Sequence, residues 1–339
     1  MQKEYAKHIP TDEELFLAVR KYKQRIETIK NEVKKGIIGQ DDVIDSILKC
    51  MVSGGHVLLE SVPGLAKTFT AMLLNETMEN SVFNRIQFTP DLLPTDITGV
   101  TVYDKIKGFY VMKGPIFANL VLADELNRTP PKVQSAMLQA MQERQVTIGR
   151  KTYDLPKPFF VLATQNPLEQ RGVYPLSAAQ IDRFLFKIFV DYPEESDEFF
   201  VMDQNSNMKK IEDYNIQKVI GPQEITEIQD VVKYIHISRE LKEYIVNIVD
   251  ATRHPEEHGL AEEKKYIQYG GSPRASIFLC LSAKATALLN GRIFVTPEDI
   301  KSVAKEVLRH RIILNYEGKA RNISTDDVID EIIKKVPVL

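Results

Sequence analysis

The spacing of apolar residues changes character once along the chain, near Tyr192. Before that point, short unbroken apolar runs recur at Val57-Leu58-Leu59, Leu120-Val121-Leu122-Ala123 and Phe159-Phe160-Val161-Leu162-Ala163, and the segment 186–190 is apolar apart from Lys187. Such runs, with no polar residue on alternate positions, mark strands buried on both faces, as in parallel sheets. A further strand is expected over 85–89. Between these runs the period lengthens. Val43, Ile44, Ile47, Leu48 and Met51 fall at helical spacing, and Gly54-Gly55 ends that helix. Val133, Ala136, Met137, Ala140 and Met141 do the same, with Thr129 as the expected cap and Pro130 as first helical residue. Residues 12–35 read as a charged helix. Ile37-Ile38-Gly39-Gln40 reads as a helix entry with a hydrophobic staple. Alternating patterns over 100–112, around Lys107-Gly108, and over 146–155, around Gly149-Arg150, predict two hairpins.

Five apolar strands separated by helices or insertions predict an α/β fold with a doubly wound, mostly parallel sheet. Beyond Tyr192 the strand-like runs stop. Helical spacing covers 225–234, 241–252, 274–289, 297–312 and 325–335, with Thr296-Pro297-Glu298-Asp299 as a well-formed helix start. The expected organisation is a helical segment at 1–35, an α/β core at 36–202, a linker at 203–220 and an all-helical domain at 221–339. No period of ~20–50 residues recurs, so a repeat array is not expected.

Composition narrows the class. The 339 residues give room for a large core and two domains. With 43% hydrophobic and 27% charged residues, the chain reads as an ordinary soluble protein. A net charge of −3 offers no general attraction to nucleic acid or to a membrane surface. Cys50 and Cys280 are too few for a disulfide framework and read as small buried residues. Lys3, Glu4 and Lys7 leave no apolar leader, and no stretch approaches ~18 consecutive apolar residues. A cytoplasmic location without membrane insertion is the expectation.

Chemistry concentrates at the ends of the strands. After Val57-Leu58-Leu59-Glu60 comes the loop Ser61-Val62-Pro63-Gly64-Leu65-Ala66, and Lys67-Thr68 then open a helix through Leu74. A strand, a glycine-bearing loop and Lys-Thr at a helix start form a phosphate cradle. Backbone N–H groups and the helix N-terminus face the phosphates, the lysine reaches them, and the threonine hydroxyl ligates Mg²⁺. The strict pattern has glycine at both 61 and 66, whereas this chain has Ser61 and Ala66. Only Gly64 is at ease with φ > 0. An ordinary strand-to-helix turn would look similar, so the remaining strands decide. Asp124-Glu125 end an apolar strand. Alternation along a strand puts the two carboxylates on opposite sides, Asp124 for the Mg²⁺ shell and Glu125 to polarise an attacking water. Asn166, at the end of the following strand, can orient that water, or can simply serve the turn before Pro167. Ligands of doubly wound sheets bind at the carboxyl ends of the strands, and all of these residues fall there. Arg183 and Arg274 each admit a plain reading as surface arginines. Met137 and Met141 read as core.

Taken together, Gly55 through Glu60, the Pro-Gly-Leu-Ala-Lys-Thr loop, Ala123 through Lys132, Gln139 through Gly149, Ala163 through Pro167, Tyr174-Pro175-Leu176, Gln180 through Phe184 and Gly271 through Ala275 resemble the MoxR family of AAA+ ATPases over roughly residues 36–330. The resemblance implies Lys67 and Thr68 as the Walker A pair and Asp124 and Glu125 as Walker B. It implies Asn166 as sensor 1, Arg183 as an arginine finger on a neighbouring subunit's nucleotide, and Arg274 as sensor 2 on a helical lid. Ile38 and Gly39 correspond to the segment that packs on adenine. Residues 91–113 match the helix-2 insert, and 145–157 match the hairpin before sensor 1. Ala66 is ordinary for the family. Ser61, where glycine is usual, and Ala179, where an acid is common, depart from it. The implied protein is a Mg²⁺-dependent ATPase assembled as a ring homo-oligomer, by resemblance a hexamer. It would remodel, or load a metal or cofactor into, a client that often carries a von Willebrand factor A domain. Two alternatives stand beside it. One is an ATP-binding switch or scaffold with negligible turnover, for which Ser61 is the support. The other is a nucleic-acid motor, disfavoured by the charge and by the lack of a helix-turn-helix pattern.

Overall fold

The hydrophobic runs of the first half assemble side by side. In a computed structural model the structure describes residues 10–62, 64–106, 108–167, 172–205 and 209–338. Helix α1 (Asp12–Val33) is followed by α2 (Asp41–Val52), β1 (Val57–Glu60), α3 (Lys67–Glu76), β2 (Phe83–Gln87), α4 (Pro94–Thr98) and the hairpin β3 (Gly99–Asp104) with β4 (Gly108–Lys113). Then come β5 (Leu120–Asp124), α5 (Pro131–Glu143), a second hairpin of β6 (Gln145–Ile148) and β7 (Lys151–Asp154), β8 (Phe160–Gln165), α6 (Ala178–Ile181), β9 (Phe186–Phe189) and α7 (Glu195–Asn205). The remainder comprises α8 (Pro222–Tyr234), α9 (Arg239–Ala251), β10 (Ile267–Tyr269), α10 (Pro273–Leu289), α11 (Pro297–Leu308), β11 (Ile313–Leu314), α12 (Tyr316–Ala320) and α13 (Thr325–Lys335).

Five strands form one parallel sheet in the order β2-β5-β8-β1-β9. The α/β expectation holds, and the sheet is wholly parallel. The central strands are buried along almost their full length, which is why they carry unbroken apolar runs. Because every strand runs the same way, the carboxyl ends of β1, β5 and β8 share one edge. The register sets Glu60 beside Gln165 and Gln87 beside Asp124.

Several boundaries differ from the sequence reading, each for a local reason. Strand β2 lies two residues earlier than expected. It is an outer strand that carries polar residues at 84, 85 and 87, and Phe88, buried beyond its end, instead donates its N–H to Asp124 O. Thr129 does not cap α5. A single 3₁₀ turn over Leu126–Arg128 takes up the chain there, Thr129 Oγ1 donates to Leu126 O, and Pro130 is the cap residue. Helix α11 ends at Leu308 rather than 312, because Arg309, His310 and Arg311 turn back onto the sheet. The second half is not purely helical. Strands β10 and β11 form a short antiparallel pair, too brief to leave a period-2 signal. Residues 203–205 belong to α7 and 211–214 form a 3₁₀ turn, so part of the stretch expected as a linker is structured. Both hairpins form as expected, with Lys107 lying outside the described residues.

Helix α1 ties the two halves together. A capping box of Thr11 and Glu14 starts it, and Leu15, Val19, Tyr22, Ile26, Ile29 and Val33 form one buried stripe. That stripe packs on α2, α3, α8 and α10. Among the described residues no helix is long and apolar enough to cross a membrane.

Two histidines make stability depend on acid. His56, just before β1, has Nε2 3.1 Å from Met141 O, and its Nδ1 accepts the N–H of Val161 at 3.1 Å. Burial, with Arg144 nearby, pushes its pKa down to about 4. His310 is pushed well below the usual range by burial and then by the Arg311 charge. Unfolded, both titrate near ~6.5. Between that value and about 4 the unfolded chain therefore binds more protons than the folded one, and stability falls as pH falls. His56 is expected to remove about 2 kcal/mol between pH 7 and pH 5, and His310 acts in the same direction. Urea unfolding at the two pH values checks this, and an unmoved midpoint would contradict neutral burial.

Candidate nucleotide-binding site

Strand β1 ends at Glu60 and the chain enters the loop that precedes α3. Gly64 adopts φ 90° and Ala66 φ 52°, both in the left-handed region. An L-residue there costs ~1–2 kcal/mol, so the loop holds Ala66 against its preference. Ser61, at the position where glycine is usual, is buried, and its hydroxyl donates to Val62 O at 3.0 Å. Lys67 folds back, its Nζ 3.1 Å from Ser61 O and 3.4 Å from Val62 O. Thr68 is the second residue of α3, and its hydroxyl has no partner among the described residues. Leu65 is buried and Val62 half-buried, while Pro63 lies outside the described residues.

The acidic pair sits on the same edge. Asp124 is 7% exposed. It accepts a hydrogen bond from Thr164 Oγ1 at 2.7 Å and two from Arg85, Nη2 at 2.7 Å and Nε at 3.1 Å. Glu125 is not a strand residue. Its backbone is left-handed, φ 58° and ψ 49°, so alternation does not place its side chain as the sequence reading supposed. The Glu125 N–H donates to Thr164 Oγ1, and its Oε2 receives Gln87 Nε2 at 2.6 Å and Arg128 Nη1 at 3.0 Å. Thr164 thus bridges the two acids, accepting from one backbone and donating to the other carboxylate. Backbone strain at a carboxylate set on a sheet edge is a mark of a functional position.

Asn166 is buried immediately after β8. The preceding Gln165 donates to Glu60, which also takes Lys187 Nζ at 2.9 Å, so the end of β8 is tied to the start of the loop. Beside the loop lies a cleft of about 510 Å³, lined by Ile38, Gln40, Leu65, Ala66, Phe69 and Tyr192 among others. That volume suits a nucleoside, within the usual ~300–1,000 Å³ of ligand sites. Gly39 borders it with φ 72°, and a Cβ there would fall 2.5 Å from Asp197 Oδ2, so a larger residue would have to push that side chain aside on a strained backbone.

The two arginines lie apart from this cluster. Arg183 follows α6, half-buried, and makes no side-chain hydrogen bond or ion pair among the described residues. Arg274 opens α10, and its Nη1 donates to Asp182 at 2.9 Å. The sheet edge therefore gathers Lys67, Thr68, Asp124, Glu125 and Asn166, while Arg183 and Arg274 sit at the junction of the core with the helical region.

Sequence reasoning missed Arg85, Gln87, Arg128, Thr164 and Asp182. Thr164 left a faint signal, a hydroxyl ending an otherwise apolar run. Arg85 and Gln87 left none, because only the β2–β5 register brings them to the acids.

Comparison with known proteins agrees with this geometry. Residues 56–186 match the model of the ATPase family associated with various cellular activities (AAA), and residues 260–332 match the AAA lid domain. The fold and the site thus define an AAA nucleotide-binding core with its lid. The chain is 42% identical over 306 residues to the chaperone MoxR1 of Mycobacterium tuberculosis, covering 90% of this chain and 80% of that protein. It is 43% identical to the uncharacterized protein YeaC of Bacillus subtilis, covering 90% of this chain and 93% of that one. A crystal structure of an ATPase candidate from Cytophaga hutchinsonii is 49% identical, with a TM-score of 0.89 and coverage of 95% of this chain and 97% of that chain. The chain belongs to the MoxR family of AAA+ ATPases, which are nucleotide-binding proteins.

Proposed function

We propose that this protein hydrolyses ATP at the sheet edge and uses the cycle to remodel a client protein. The observation that carries the reading is the meeting, on one edge, of the Lys67-Thr68 helix start with Asp124 and Glu125. The cleft beside Ile38 and Gly39 takes the adenosine. The loop N–H groups and the α3 N-terminus receive the phosphates, and Lys67 exchanges its two loop carbonyls for phosphate oxygens. The donor set fits Mg²⁺: the Thr68 hydroxyl, without a partner among the described residues, and the Asp124 carboxylate are hard oxygen ligands. Bound there, the ion would neutralise charge on the β- and γ-phosphates.

Glu125 takes a proton from the water that attacks the γ-phosphorus, and the bond to the β–γ bridging oxygen breaks, giving ADP and phosphate. To do so the carboxylate must be freed from Gln87 and Arg128. Asn166 holds the water or a γ-oxygen. Among the described residues the Arg183 side chain has nothing to hold, which suits a finger that completes a neighbour's site in a ring, a hexamer by resemblance. Arg274 would serve as sensor 2 from the lid. The client, with a von Willebrand factor A domain as one candidate feature, and a cytoplasmic setting belong to the same reading.

ATP turnover per subunit with Mg²⁺, followed against protein concentration, is the direct test. Shared sites require turnover to rise as subunits assemble. Concentration-independent turnover would mean that each subunit works alone. Negligible turnover with retained ATP binding would favour a nucleotide-gated switch.

A further inference from the structure

One buried guanidinium from the lid grips the backbone on both sides of Arg183. The Arg311 side chain is 1% exposed. A buried arginine must place its five N–H donors, and this one places them almost wholly on a single segment of the core. Nε donates to Asp182 Oδ1 at 2.8 Å. Nη2 donates to Asp182 O at 2.9 Å and to Phe184 O at 2.6 Å. Nη1 reaches Leu185 O at 3.3 Å and, within the lid, Val307 O. Phe278 of α10 backs the guanidinium plane, 4.9 Å from ring centroid to Cζ.

The neighbours reinforce the grip. Asp182 also accepts from Arg274 Nη1 at 2.9 Å and from Ser272 Oγ at 3.2 Å. His310 Nε2 lies 3.1 Å from Phe184 O, and Arg309 Nη1 donates to Lys187 O at 3.2 Å. Lid residues thus hold the carbonyls of 182, 184, 185 and 187. Within this frame the Arg183 side chain is left without a partner among the described residues. A lone ion pair would be satisfied at Asp182 by Arg274 alone. The two-sided hold on the backbone by a rigid planar fork does something further: it fixes where the chain at 183 sits relative to the lid.

We propose that Arg311 is a positioning residue for the arginine finger, tying Arg183 to the lid of its own subunit so that finger placement follows that lid. The proposal rests on the reading of Arg183 as a finger. Its distinctive consequence is that loss of Arg311 impairs the neighbour's site rather than its own.

The test uses full-length protein and two variants, Arg311→Lys, which keeps the buried charge but loses the fork, and Asp182→Asn. Each is measured alone and mixed in equal parts with Glu125→Gln, whose own site is dead but whose finger is intact. Alone, each clamp variant is expected to lose about tenfold or more in turnover, with ATP Kd held within about twofold. Mixing should raise turnover well above that of either protein alone, because Glu125→Gln neighbours supply sound fingers to about half of the variant's intact sites. The control pair is Arg183→Ala mixed with Glu125→Gln. Recovery in the control but not in the clamp variants overturns the proposal, since Arg311 would then act on its own site or on the fold. Wild-type turnover of both clamp variants alone overturns it too, as does unfolding of both, which would make the network a structural strut. No recovery even in the control pair would instead overturn the finger reading itself.

Discussion

Arg183→Ala is expected to lower ATP turnover by ~10³-fold or more while leaving both ATP affinity and fold stability unchanged. The size follows from what a finger does. It adds a positive charge where negative charge gathers in the transition state, inside a site from which water has been excluded, and ~10³-fold corresponds to about 4 kcal/mol. The selectivity follows from the structure. The Arg183 side chain makes no hydrogen bond or ion pair among the described residues, so truncating it breaks none of these inside the subunit. A surface arginine held in an ion pair would behave otherwise, costing a few tenths of a kcal/mol in stability and nothing in rate. Steady-state kinetics, nucleotide titration and thermal unfolding of the one variant therefore separate the two readings. Turnover equal to the parent would remove Arg183 from the site.

Glu125→Gln is expected to cost ~10²–10⁴-fold in turnover, the usual worth of a general base, with ATP still bound. The amide has nearly the shape of the carboxylate and can still accept the hydrogen bond from Gln87. The left-handed backbone at 125 is also unaffected, because it is imposed by the strand end and by the hydrogen bond to Thr164. What is lost is the ability to take a proton. The expected signature is a subunit that binds ATP and keeps it. Unchanged turnover would mean that another group activates the water. A loss of ATP binding would mean that Glu125 serves the architecture of the pocket rather than the chemistry.

The residues proposed for chemistry were more legible than those that place them. Lys67, Thr68, Asp124, Glu125 and Asn166 could be read because each follows a short apolar run, and in a parallel sheet the ends of such runs must meet. Arg85 and Gln87 could not, since β2 is an outer strand with several polar residues and only register sets these two against the acids. Asp182 was read only as the residue beside Arg183. Its partners come from residues 272, 274 and 311, about 90 to 130 positions away. The reading of Asp124 and Glu125 as alternating strand residues failed because backbone strain at Glu125 leaves no local trace in sequence.

The sequence by itself determined the α/β core, the helical character that follows it and the sheet edge where Lys67, Thr68, Asp124, Glu125 and Asn166 meet. These follow from local period and from apolar runs, which are properties of neighbouring residues. The tertiary structure alone decided how the acids are held, that Arg183 is left without a partner among the described residues, and that lid residues 309–311 grip the segment around it. Those features depend on register between strands and on contacts between distant segments, where a single hydrogen bond fixes the outcome and no periodicity announces it.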